Sequence, residues 1–253
     1  MSKLFKKLLI KRLKPIIERK NLILNHQFGF RGKHSTIDQV NRIINIIENA
    51  LEETKVCSAV FLDVAQAFDK VWHEELNYKL WTTLPKQYAE ILESYLAERF
   101  FRVKQGDAYS ELKEIKAGML QGSVLGPVLY LLYTSDLPNL ENSTVATFAD
   151  ETAILTVGSS NEESTGKLQT TIKQKKNGQK KWHIQFNESK SVHINFTNRC
   201  FEHIPLTINT QKVPYANRAK YLGMTLDTKL RLKAHVTKKR EELEQRYKKC
   251  IGW

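Results

Sequence analysis

Ile37, Val40, Ile44, Ile47 and Leu51 recur at alternating steps of three and four, the spacing of one buried helix face, and Ser35 with Asp38 supplies a capping box ahead of them. This predicts a helix over 36–53. An earlier stripe of Leu4, Leu8, Leu9, Leu13, Ile16 and Ile17 lies among lysines and arginines, with no acid before Glu18, and predicts a basic amphipathic helix. A mitochondrial presequence is also basic and acid-poor, but it is usually rich in Arg and Ser, whereas Lys dominates here. Residues 56–62 form a short β-favouring run that ends at Asp63, so this acid is expected at a strand end. Pro85 suits the first turn of a further helix with Tyr88, Ile91, Leu92, Tyr95 and Leu96 on its inner face, and Gln105-Gly106-Asp107 reads as a hairpin turn. Two apolar runs, 145–148 and 153–157, flank Ala149-Asp150-Glu151-Thr152 and predict a hairpin with two carboxylates at its tip. A polar stretch, 158–166, then connects to a Lys-rich segment, 173–181, and to a strand over 191–196, and the chain from Lys229 onward reads as a basic helix. Strands and helices alternate irregularly, which makes the class α+β.

The 253 residues suffice for one large or two small domains, and 41% apolar with 26% charged residues excludes a disordered or collagen-like chain. The surplus of 40 Lys+Arg over 27 Asp+Glu leaves +13, a self-repelling charge that calls for an anionic partner. Nucleic acid is the leading candidate and an acidic membrane surface the second. Three cysteines, Cys57, Cys200 and Cys250, give neither a disulfide framework nor a CxxC pair, which points to a reducing compartment, nucleus or cytoplasm. The longest apolar run, 124–133, contains Gly126 and Pro127 and is too short for a membrane span, so no span exists; of the two anionic candidates nucleic acid is preferred, and no membrane partner is expected. His193, Cys200 and His203 include only one C-x-x-H, a poor zinc pattern.

The candidate chemistry rests on Asp63, Asp69, Asp150 and Glu151. An aspartate at a strand end is more often a solvated turn former than a ligand. Here, however, Asp63 and the Asp150-Glu151 pair each lie at the end of an apolar run, and converging carboxylates repel each other unless cations lie between them. Hard oxygen donors suggest Mg²⁺, and two such ions about 4 Å apart are the arrangement shared by polymerases and nucleases.

Three segments in order, Phe61-Leu62-Asp63-Val64-Ala65-Gln66-Ala67-Phe68-Asp69-Lys70-Val71, then Gly118-Met119-Leu120-Gln121-Gly122-Ser123-Val124-Leu125-Gly126-Pro127, then Phe148-Ala149-Asp150-Glu151-Thr152, resemble successive reverse-transcriptase motifs. Gln27-Phe28-Gly29-Phe30-Arg31 with His34-Ser35-Thr36, residues 187–190, and Tyr221-Leu222-Gly223 resemble the flanking motifs. The likeness spans nearly the whole chain and is greatest to non-LTR (LINE-like) retrotransposons of the jockey type. It implies a right-hand polymerase palm, an antiparallel sheet with packed helices, over 55–215. Partial fingers would occupy 1–54, and a primer-grip hairpin with the start of a thumb 216–253.

The same resemblance implies that Asp63, Asp150 and Glu151 are catalytic and that, with Val64, they hold two Mg²⁺ ions or Mn²⁺ in their place. Phe68, Gln121 and Lys190 would bind the nucleotide, Phe68 as the ring that excludes a 2′-hydroxyl and Lys190 as proton donor to pyrophosphate. Gly122, Ser123, Tyr221, Leu222, Gly223 and Arg31 would contact template-primer, and Asp69 would be structural. The implied partners are an RNA template, a DNA primer and a dNTP.

The chain departs from the family pattern at Glu151, where a second aspartate is usual. The extra methylene adds about 1.5 Å, comparable with a Mg²⁺–oxygen distance of roughly 2 Å. The chain is also expected to lack the family's preceding fingers segment and most of the thumb. These departures keep a second reading open, a catalytically impaired polymerase-derived module that binds nucleic acid by charge.

Overall fold

The computed structural model describes residues 3–64, 67–120, 122–136, 143–181, 186–200 and 202–251. The elements run α1 (Lys3–Arg19), α2 (Thr36–Glu52), β1 (Val56–Val64), α3 (His73–Thr83), α4 (Lys86–Leu96), β2 (Phe100–Phe101), β3 (Lys104–Gln105), β4 (Ala108–Tyr109) and β5 (Lys113–Glu114). They continue with α5 (Gly126–Tyr133), β6 (Thr144–Phe148), β7 (Glu151–Gly158), α6 (Asn161–Lys181), β8 (Phe186–Phe196), β9 (Thr207–Ile208), β10 (Gln211–Lys212), β11 (Arg218–Tyr221), β12 (Met224–Asp227) and α7 (Lys233–Ile251). The centre is a four-stranded sheet in the order β6-β7-β1-β8, antiparallel at every step, and the fold is α+β as expected.

Both faces of this sheet are covered, which is why its central strands read as continuous apolar runs. On one face Cys57, Ala59 and Phe61 of β1 and Ala153 and Leu155 of β7 pack against Val40, Ile43, Ile47 and Ala50 of α2 and against Ala219, Tyr221 and Leu226 of the β11–β12 hairpin. On the other, Val60, Leu62 and Ile154 meet Leu168 and Ile172 of α6 and Leu206, Ile208 and Val213 around β9–β10. A third cluster joins α1, α3, α4 and α5 through Leu9, Leu13, Leu76, Leu80, Leu92, Leu96, Leu129 and Leu132.

The capping box forms as expected: Ser35 Oγ accepts from Asp38 N at 3.1 Å while the Asp38 carboxylate accepts from Ser35 N at 2.8 Å. The buried stripe of α2 is rotated from the expected one. Ile43 takes the place of Ile44, Ile37 is 68% exposed, and Gln39 turns inward to donate to the carbonyls of His26 and Thr147 at 3.0 and 2.9 Å. The expected connector at 158–166 is in fact largely helix α6, because the buried side of its first turns is polar. Asn161, Ser164, Thr165 and Thr171 are buried there with only Leu168 and Ile172, so apolar periodicity does not mark it. No cap or continuous apolar stripe marks α3 either; it has no side-chain N-cap bond, and buried Lys79 directs its ammonium to the Tyr133 carbonyl and the Asp136 carboxylate.

The polar face of α6 meets a buried polar network. His193 Nε2 lies 3.1 Å from Asn195 Oδ1 and 2.9 Å from Ser58 Oγ, and Asn195 Nδ2 donates to Asn161 Oδ1 at 2.7 Å. An amide oxygen only accepts, so Nε2 carries the ring proton and Nδ1 is left with no hydrogen-bond partner among the described residues. Burial, reinforced by His203 facing it, pushes the His193 imidazole down to about 4. A ring with its proton affinity lowered by folding contributes stability that is complete above the unfolded value near 6.5 and is lost as pH falls toward 4, about 3 kcal/mol in all. Urea unfolding at pH 7 and pH 4 should show the wild type losing about 3 kcal/mol more than His193→Gln; equal losses would remove the assignment.

Candidate active site

β6 and β7 are joined through Ala149 and Asp150 alone, because Phe148 pairs with Glu151. Ala149 has φ 58° while Asp150 is not among the positive-φ residues, the pattern of a II′ turn whose first position glycine usually fills. An alanine there stores about 1–3 kcal/mol of strain and persists only if its surroundings enforce it. Gln27 supplies that enforcement. Its Oε1 accepts from Ala149 N at 3.0 Å and from Gly29 N at 2.8 Å, and its Nε2 donates to Ala149 O at 3.2 Å. Gln27 also bridges to Thr147 in parallel, with Phe28 N donating to Thr147 O at 2.9 Å and Thr147 N to His26 O at 3.0 Å. Gly29 lies so close that a Cβ would meet Ala149 N at 2.2 Å, so no other residue fits there without moving the turn. Gln27 was not singled out in the sequence beyond its place in the Gln27–Arg31 motif.

The turn sets Asp150 on the wall of a cavity of about 680 Å³, together with Phe68, Asp69, Gly122 and Ser123. The Phe68 ring stacks on Tyr130 at 4.7 Å and meets Phe30 edge-on at 6.0 Å, so two neighbouring rings fix it at the cavity. Burial, with the negative charge of Asp150 second, raises the Tyr130 hydroxyl above its ordinary range and keeps it protonated. Ser123 Oγ accepts from the Tyr95 hydroxyl at 2.8 Å and from Leu125 N at 3.3 Å, which ties the loop before α5 to α4. Gln121 lies outside the described residues.

Asp63 is exposed near the end of β1. The register that pairs Leu62 with Thr152 brings it, one step further, level with Glu151, and the alternation of β-strands puts both on the face of Phe61 and Ala153. Val64 follows and pairs with Phe186. Beyond Phe61 the pairing with β8 shifts, and the residues between Asn187 and Val192 bulge out beside Asp63. Asn187 Oδ1 braces that bulge by accepting from Ser189 Oγ at 2.8 Å and Lys190 N at 3.3 Å, so exposed Lys190 is carried to the acidic end of the sheet.

Across from β7, Tyr221 pairs with Met224 around the two-residue turn Leu222-Gly223, where φ is 47° and 82°. Tyr221 is 1% exposed and its hydroxyl donates to Ala146 O at 3.1 Å. Exposed Glu151 accepts from Leu222 N through Oε2 at 2.9 Å. Arg31 donates to the carbonyls of Leu24 and Gln27 at 3.1 and 3.2 Å and lines a second cavity of about 460 Å³ with Lys14, Lys33 and His34. The cavity thus gathers Phe68, Gly122, Ser123 and Asp150, the sheet end gathers Asp63, Glu151 and Lys190, and Arg31 stands in the neighbouring loop.

The reverse transcriptase (RNA-dependent DNA polymerase) family matches residues 1–226. The chain is 37% identical over 254 residues to a probable RNA-directed DNA polymerase from transposon X-element of Drosophila melanogaster, covering 98% of this chain and 28% of that protein. It is 34% identical to the RNA-directed DNA polymerase from mobile element jockey of Drosophila funebris, covering 100% of this chain and again 28% of the relative. The chain therefore spans little more than a quarter of the length of these curated relatives. Among solved structures, apo telomerase from Candida tropicalis superposes with a TM-score of 0.61 at 15% identity, over 90% of this chain and 40% of that one. That similarity is one of fold.

Replacing Gln27 by Ala removes the side-chain partners of Ala149 N, Ala149 O and Gly29 N. We expect a loss of about 2–3 kcal/mol in urea unfolding, and a change below about 0.5 kcal/mol would show that the turn holds its shape without the clamp.

Proposed function

The chain belongs to the reverse transcriptase (RNA-dependent DNA polymerase) family, in the jockey-like branch of the non-LTR retrotransposons, and from that premise we propose that it extends a DNA primer on an RNA template by two-metal nucleotidyl transfer. The observation that carries this reading is the II′ turn, which holds Asp150 against the Phe68 cavity while the β1–β7 register delivers Asp63 to the same end of the sheet.

Asp63 and Asp150 carry the hard oxygens that Mg²⁺ takes, although among the described residues no three His, Cys, Asp or Glu side chains cluster as a metal site. A hard divalent cation takes oxygen donors that no protein cation has already neutralised. Asp63, Asp150 and Glu151 are all exposed, and among the described residues none of them forms an ion pair although the chain carries +13. Asp63, Asp150 and the carbonyl of Val64 would hold the ions, while Glu151 accepts from Leu222 N of the neighbouring hairpin. When bound, a pair of Mg²⁺ or Mn²⁺ ions supplies the Lewis-acid charge that phosphoryl transfer requires.

In the reaction the primer 3′-hydroxyl gives up its proton to solvent and its oxygen bonds to the α-phosphorus of the dNTP as the bond to pyrophosphate breaks. Lys190, on the bulge beside Asp63, gives a proton to the departing pyrophosphate in this reading. Phe68, fixed by Tyr130 and Phe30, leaves no room for a 2′-hydroxyl. Gln121, Gly122 and Ser123 contact the nucleotide and template-primer, Tyr221, Leu222 and Gly223 the primer end, and Arg31 the template. Residues 1–54 act as fingers, 55–215 as palm and 216–253 as primer grip and start of the thumb.

Primer extension on an RNA template tests this reading. An ion held by carboxylates contributes several kcal/mol to the transition state, so Asp150→Asn should lower extension by about a hundredfold or more. Its binding of template-primer should stay near wild type and fall steeply with salt. A wild-type chain that binds template-primer but adds no nucleotide would replace this proposal with the nucleic-acid-binding module.

The ring at residue 68 gives a separate check. Phe68→Val should raise ribonucleotide use relative to deoxyribonucleotide by about tenfold or more, and an unchanged ratio would remove the gate from Phe68.

A further inference from the structure

Glu151 stands at a join between two hairpins. It opens β7 directly after Asp150, and its Oε2 accepts from Leu222 N at 2.9 Å. Leu222 and Gly223 both have positive φ, the I′ pattern that favours Asn-Gly or Asp-Gly. Glycine takes that backbone readily at 223, but a leucine at 222 is strained there. The amide at the first central position of such a turn has no partner in its own hairpin ladder, and the Glu151 carboxylate provides one. Tyr221 makes the complementary anchor, because its hydroxyl bonds to Ala146 O of β6 and its ring lies 5.4 Å from Phe61 of β1. Burial, with the charge of Glu151 second, raises the Tyr221 hydroxyl above its ordinary range, so it remains a donor. The β11–β12 hairpin is thus fastened to both strands whose turn carries Asp150.

We propose that Glu151 is a positioning residue that fixes the Leu222-Gly223 turn, and with it the primer 3′ end, at a set distance from Asp150; this rests on the polymerase reading above. The assignment explains a glutamate where two aspartates are usual. An aspartate is shorter by one methylene, about 1.5 Å. From a backbone held by the pairing of Glu151 with Phe148 it falls short of Leu222 N. The requirement at this position is reach and an acceptor oxygen, which differs from the charge and exact placement that metal ligation demands.

Conservative substitutions separate the two roles. Glu151→Gln keeps the reach and an acceptor but loses the charge, whereas Glu151→Asp keeps the charge and loses the reach. With positioning, Gln should retain extension within about threefold, while Asp should lose about tenfold or more with KM for primer-template raised and KM for dNTP unchanged. The reverse order, Asp active and Gln inactive, would overturn the proposal. Hydrogen exchange of the Leu222 amide gives a readout independent of catalysis: slow in wild type and Glu151→Gln, at least about tenfold faster in Glu151→Asp. Fast exchange in the wild type would break the tie itself. Slow exchange in a wild type that extends no primer would keep the tie and end the polymerase reading, so the two failures are distinguishable.

Discussion

An L-residue in the left-handed region at Ala149 is the constraint on which the placement of Asp150 depends. Strands β6 and β7 run directly into each other with only two residues between them, and a primed turn is the connection that matches their twist. That geometry throws Asp150 out of the ladder and toward the cavity while leaving Glu151 within it. Because alanine does not favour this backbone, the turn depends on neighbours remote in sequence. Gln27 grips both polar groups of Ala149, Gly29 gives the clearance, and Gln39 holds the strand end from α2. Turn, clamp and helix therefore stand or fall together.

Electrostatics acts on the same place in the opposite sense. Exposed carboxylates gathered at one sheet end repel one another, and a chain with +13 has abundant cations with which to neutralise them. Yet the described ion pairs lie elsewhere, as between Lys79 and Asp136 or Lys167 and Glu163. No described ion pair engages Asp63, Asp150 or Glu151, although Lys190 stands on the bulge beside Asp63.

Much of the fold was legible because its signals are local. The capping box at Ser35 and Asp38 needs only neighbouring residues, and the strands around Asp63 and Asp150 stand out because burial on both faces demands uninterrupted apolar side chains. α6 was hidden because Asn161, Ser164 and Thr165 bury polar groups that satisfy one another and the sheet, a solution with no apolar period. Gln27 and Ala149 are 122 residues apart, and no pattern along the chain marks an amide that closes on a distant turn. The acids of the site were visible as residue types at strand ends. What organises them became visible only in the register.

The relation between Glu151 and Leu222 shows how one methylene alters the logic of such a site. Ala149 and Leu222 are both L-residues held at positive φ, each in a two-residue turn. Either turn alone would relax by peeling from its neighbour or by flipping a peptide. A carboxylate fixed in the ladder of the first and bonded to the amide of the second removes that freedom from both, since flipping the Leu222 peptide would leave Glu151 without its donor. Strain at the two turns is then stored jointly, and the pair resists displacement better than either turn does. An aspartate at the same backbone position would be one methylene too short to span to the hairpin, so the glutamate is what makes the two turns rigid against each other.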